Sequence, residues 1–94
     1  MMPTTVVNVQ KRERSDVYIG RPGPFGNPYV IGTDGDRAEV IRLFRIYFYE
    51  RLKRDPEWKK LVEGLRGKKL GCFCAPLSCH GHVIAEYLDH APVV

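Results

Sequence analysis

The stretch that most limits what this chain can fold into is Gly20-Arg21-Pro22-Gly23-Pro24-Phe25-Gly26-Asn27-Pro28-Tyr29. Three glycines and three prolines in ten residues forbid helix or strand there. Each proline locks φ and each glycine opens backbone regions closed to other residues, so the loop is irregular and rigid. Any regular structure therefore lies on either side of it.

Before the loop, Thr4 to Val9 is short and β-branched and reads as a strand; Lys11 to Ser15 is a charged turn; Val17-Tyr18-Ile19 is a second strand. After it, Asp34 or Asp36 can cap a helix whose apolar face is Val40, Ile41, Phe44, Tyr47, Phe48 and Leu52. Arg42, Arg45, Lys53, Glu39 and Glu50 fall outside, a mixed and slightly basic surface. Asp55-Pro56 opens a second helix through Trp58, Leu61, Val62 and Leu65, ending near Gly67, with Trp58 a core anchor. Lys68 to Cys74 returns to strand, with Leu70, Cys72 and Cys74 on one face and Phe73 on the other, and Pro76 ends it. Ser78 can cap a last helix with Val83, Ile84, Tyr87 and Leu88 inward, leaving 89–94 as a frayed tail with His90 on the surface.

That order predicts one small α/β domain over 1–94, of two or three layers, with a short, mostly parallel sheet and three helices. If the strands at Val17 and Leu70 are parallel, their following loops share one sheet edge, and the Gly/Pro-rich loop meets the segment Gly71 to His82.

The second segment holds all three cysteines and two of the three histidines. An odd number of clustered cysteines fits a metal, redox or catalytic site better than a disulfide framework. No apolar run is long enough to span a membrane and the first residues lack a signal-peptide pattern, so the expectation is a cytoplasmic protein without a membrane partner. A net charge of +4 leans toward an anionic partner, a nucleotide or a nucleic acid, although surplus Lys and Arg also serve plain solvation.

A thiol in the first turn of a helix sits at the positive end of its dipole, so Cys79 can act as nucleophile, as ligand, or as a small apolar residue. Cys72 and Cys74 leave the same strand face, and Cys79 with a histidine completes a Cys₃His set suited to zinc, with an iron–sulfur cluster second. Helix spacing alone puts His82 on the face of Cys79. In the loop, Arg21 suits a phosphate or carboxylate, Asn27 either reads a base edge or holds the turn, and Tyr18, Phe25 and Tyr29 can stack on a ring. The plain alternative is that the loop covers the sheet edge and Phe25 plugs the core.

Val17-Tyr18-Ile19-Gly20-Arg21 with Pro24-Phe25-Gly26-Asn27-Pro28, then Leu70-Gly71-Cys72-Phe73-Cys74-Ala75-Pro76 with Cys79-His80-Gly81, resembles a bacterial and phage family catalogued as domain of unknown function 4326. Phe73 stands where that family often has tryptophan, and His82 where it commonly has an acidic residue. The resemblance moves the partner of Cys79 from His82 to His80. It implies paired glycine-rich and cysteine-rich motifs and no established activity.

The expectation is a pocket between the two loops that binds or acts on a nucleotide or other nucleic-acid-derived anionic ligand. Arg21, Phe25, Gly26 and Asn27 line it, and Cys79 with His80 forms a reactive centre. The rivals are a zinc-stapled module on Cys72, Cys74, Cys79 and His80 that binds nucleic acid or a protein, and an interaction protein using the loop as its surface.

Overall fold

A computed structural model describes residues 3–11, 14–21, 23–72 and 79–90. Strand β1 (Thr5–Asn8) is followed by a short 3₁₀ turn, Val9–Lys11, and by β2 (Val17–Tyr18). Helices α1 (Arg37–Arg54) and α2 (Pro56–Glu63) come next, then β3 (Lys69–Cys72) and α3 (His80–His90). Among the described residues the result is a small α/β fold with three helices and a three-stranded sheet in which both strand pairings are parallel.

The long helix starts where local chemistry starts it. The Asp36 carboxylate accepts the Glu39 N–H at 2.9 Å, so Asp36 rather than Asp34 is the cap. Asp34 closes the preceding loop instead, accepting the Val30 N–H at 2.8 Å. Val40, Phe44, Phe48 and Leu52, four apart, form the buried stripe of α1, with Ile41 and Tyr47 packed beside it. Asp55 caps α2 by accepting the Trp58 N–H at 3.1 Å, and Pro56 takes the first helical position, where no N–H is needed. Gly67, at φ +77°, makes the turn into β3.

The sheet order is β1-β3-β2, so β3 is central, and Leu70 and Cys72 are buried on it. The core joins them to Ile19, Phe44, Phe48, Trp58, Val62, Ile84 and Leu88. Each such side chain contributes about 1.5–3 kcal/mol by leaving water. Trp58 is 3% exposed and its Nε1–H donates to the Pro24 carbonyl at 2.9 Å, which pins the Gly/Pro-rich loop onto the helical layer.

Two helix boundaries differ from expectation, the first being that α2 stops at Glu63 rather than near Gly67. Asp89 belongs to α3 and not to a frayed tail, because its carboxylate accepts the Thr4 N–H at 3.2 and 3.0 Å. That contact ties the residue before β1 to the last turn of α3. The assignments on Phe73, Cys74, Pro76 and Ser78 lie outside the described residues, as does the side chain of His90. Among the described residues no helix is long and apolar enough to cross a membrane.

Candidate functional site

Because β2 and β3 are parallel neighbours, Val17 pairing with Leu70 and Tyr18 with Gly71, their carboxyl ends open on one edge of the sheet. From β2 the chain passes through Ile19, whose N–H donates to the Gly71 carbonyl at 2.9 Å, into the Gly/Pro-rich loop. β3 ends at Cys72, and α3 starts at the same edge with Cys79 immediately before it.

The start of α3 is a compact hydrogen-bonded unit. Cys79 Sγ accepts the Gly81 N–H at 3.4 Å, while the Cys79 N–H donates to His82 Nδ1 at 3.1 Å. This is the reciprocal logic of a capping box, with a thiol and an imidazole in place of a hydroxyl and a carboxylate. His82 therefore does here what an acidic residue would do, and its ring is committed to the backbone. Gly81 is needed for close approach: a Cβ there would meet Ile19 Cδ1 at 2.6 Å and both Val6 γ-methyls at 3.3 Å.

His80 turns the other way. Its Nε2 lies 2.8 Å from the Ile19 carbonyl, an acceptor only, so Nε2 carries the proton and Nδ1 presents its lone pair to Cys79 Sγ at 3.5 Å. Its ring stacks edge-to-face on Phe44, centroids 5.1 Å apart. Burial lowers the His80 pKa, outweighing the opposing hydrogen bonds to the backbone of Ile19 and Phe25, so the imidazole is neutral near pH 7. Cys72 Sγ lies 3.1 Å from Cys79 Sγ, and both cysteines are 2% exposed.

Above this group is a cavity of about 440 Å³. Cys72, Cys79 and His80 form its floor; Tyr18, Arg21, Asn27, Tyr29 and Arg37 line its sides and rim. Arg21 is exposed, and its aliphatic stem packs on Gly26, where a Cβ would come within 2.8 Å of Arg21 Cγ. Asn27 lines the cavity, yet its amide serves the fold: Oδ1 accepts the Tyr29 N–H at 2.9 Å and Nδ2 donates to the Val40 carbonyl at 3.2 Å. Phe25 is 7% exposed and packs in the core, away from the cavity lining.

Thus the fold gathers Arg21, Asn27, Cys72, Cys79 and His80, and it sets Phe25 and His82 apart. Cys74 lies outside the described residues. Among the described residues no group of three or more His, Cys, Asp or Glu side chains is arranged to hold a metal ion. Arg37, the first residue of α1, was not among the sequence candidates. Its position right after the helix cap was the available signal. The carbonyl of Ile19 had no signal at all, since a backbone oxygen leaves no trace in residue types.

The chain resembles an uncharacterised 12.4 kDa protein of the nrdA-td intergenic region of Enterobacteria phage T4, with 42% identity over 84 residues, covering 89% of this chain and 76% of that protein. No solved structure matches it. The profile of a family described as a domain of unknown function, DUF4326, matches residues 6–90 and so takes in both loops, the sheet and all three helices. On that match and that relative, the chain belongs to the DUF4326 family.

Proposed function

We propose that the cavity binds a nucleotide or another nucleic-acid-derived anionic ligand, with its phosphate on Arg21 and Arg37 and its ring against Tyr18 or Tyr29. The observation that carries this reading is the grouping of two arginines and two tyrosines around one opening with two cysteines and a histidine. A volume of about 440 Å³ lies within the range of small-molecule sites. Guanidinium groups suit phosphate oxygens, and phenol rings offer faces to a base.

In this reading Cys79 is the group that meets the ligand's reactive atom and His80 Nδ1 receives the thiol proton. The part a carboxylate plays in many such sites falls to the Ile19 carbonyl, which holds the tautomer and aims the ring. The test is a titration with nucleoside mono-, di- and triphosphates, read by thermal shift and by the rate at which Cys79 is alkylated. Binding should raise Tm and slow alkylation, and Arg21→Ala or Arg37→Ala should each weaken it roughly 10-fold or more, as loss of a charge-assisted hydrogen bond does. If no nucleotide changes either readout at millimolar concentration, the reading fails.

A second reading is a zinc-stapled module that binds nucleic acid or a protein. The histidine arrangement favours it, because one ring nitrogen faces a cysteine while the other donates to a backbone carbonyl, as in zinc sites with an ordered outer shell. Cys72, Cys79 and His80 would hold the ion with Cys74 as the fourth ligand. Two thiolates on one tetrahedral zinc stand about 3.8 Å apart, so the 3.1 Å pair must open. About one zinc per chain, lost in Cys79→Ser together with stability, would favour this reading.

A further inference from the structure

We propose that Cys72 and Cys79 are a dithiol pair that oxidises reversibly to a disulfide across the cavity floor. The inference stands on sulfur geometry and not on the identity of the ligand. The two sulfurs lie 3.1 Å apart, and a disulfide needs about 2.05 Å, so an approach of about 1 Å closes the bond. One partner ends a strand and the other precedes a helix.

The pair is asymmetric in the way such couples require. Cys79 has the Gly81 N–H at 3.4 Å from its sulfur and stands at the amino end of α3, both of which favour negative charge on it. His80 Nδ1, 3.5 Å away, is a proton acceptor in place. Cys72 has no such helix terminus, being on β3. Cys79 is therefore the attacking thiol and Cys72 the resolving one. Both line the cavity, which supplies the route for a small oxidant despite their burial.

The oxidant class is a low-molecular-weight disulfide. Cys79 Sγ, its proton passing to His80 Nδ1, attacks one sulfur of glutathione disulfide. The oxidant's S–S bond breaks, and one glutathione leaves as a thiolate that takes the proton back from His80. Cys72 Sγ then attacks the Cys79 sulfur of the mixed disulfide, and the second glutathione leaves with the Cys72 proton. Two cysteine thiols are oxidised to one disulfide and one glutathione disulfide is reduced to two thiols.

The test incubates the full chain with glutathione disulfide, blocks remaining thiols and maps the product after chymotrypsin. Cleavage after Phe73 separates Cys72 from Cys74, and cleavage after Leu77 separates Cys74 from Cys79, so the three possible pairings are distinguishable. The expected product is lighter than the starting chain by two hydrogens, carries a Cys72–Cys79 link and returns to the dithiol with dithiothreitol. Cys74→Ser should form the same link, and Cys72→Ser should stop at a glutathione adduct on Cys79. In the unsubstituted chain, a lasting adduct on Cys79, a link that uses Cys74 instead, or no reaction each overturns the proposal. That chain alone decides the matter if a variant fails to fold.

Discussion

His80 Nε2 donates to the carbonyl of Ile19 at 2.8 Å, across 61 positions of sequence, and this one bond fixes which nitrogen faces Cys79. It couples the end of β2 to the first turn of α3 through the one imidazole at the cavity floor. Its sign with pH follows from burial. The His80 pKa is lowered in the fold, so below the unfolded value of about 6.5 the unfolded chain binds the proton first. His80 should therefore contribute stability that is fully present above that pH and is lost as pH falls through the lower folded value. Urea midpoints measured from pH 7.5 down to pH 5 should decline, and His80→Gln, which keeps a donor for Ile19, should decline less. An equal decline in both proteins would assign the effect to other groups.

Gly81 should tolerate no side chain. Ile19 and Val6 stand within 2.6 and 3.3 Å of its missing Cβ, and Ile19 is fully buried, so it has nowhere to retreat. Gly81→Ala should destabilise by about 1–3 kcal/mol through overpacking, and Gly81→Val by more. Denaturant unfolding measures this directly. A neutral Gly81→Ala would mean that the first turn of α3 can lift off the sheet.

Asn27 makes two bonds of different kinds, and two substitutions separate them. Asn27→Asp keeps an acceptor for the Tyr29 N–H but loses the donor to the Val40 carbonyl, whereas Asn27→Ala loses both. At about 1 kcal/mol per hydrogen bond, the alanine variant should lose roughly twice as much stability as the aspartate variant. Equal losses would show that the turn bond to Tyr29 contributes little.

The Tyr87 hydroxyl donates to Glu63 Oε1 at 2.7 Å and ties α3 to α2. Burial, then the hydrogen bond to Glu63, pushes its pKa up to about 12. Tyr87 should titrate late by phenolate absorbance, and Tyr87→Phe should remove that late component. Because the unfolded phenol ionises near 10, this contribution is present at lower pH and is lost as pH rises toward 12. At neutral pH, Tyr87→Phe should cost about 1 kcal/mol in urea unfolding.

The helices were the most legible part of the chain. Asp36 three residues before Glu39, and Asp55-Pro56 before Trp58, are caps whose donors and acceptors lie within a single turn, so residue types at short spacing suffice to place them. The apolar stripe of α1 follows from period alone. The rigid loop and the clustering of cysteine and histidine were equally visible, as was the family.

Other relationships had no local signature. Residue types alone left Asn27 between reading a ligand and holding its turn, and left Phe25 between stacking and plugging the core; packing against Val40 and within the central cluster determines both. His80 and His82 differ by two positions in one helix, and spacing favoured His82 beside Cys79. Tertiary structure turns His82 onto the Cys79 N–H and His80 toward the sulfur, because the Ile19 carbonyl is present on one side of the helix only. Arg37 joins the cavity by the same route, as parallel β2 and β3 and the start of α1 converge on one edge. Caps and periodicity are settled by neighbours a turn away, whereas the site is settled by strand order and by contacts many tens of residues apart. The sequence by itself determined the elements and their chemistry, and only the packing of the sheet decided which of those groups face one another.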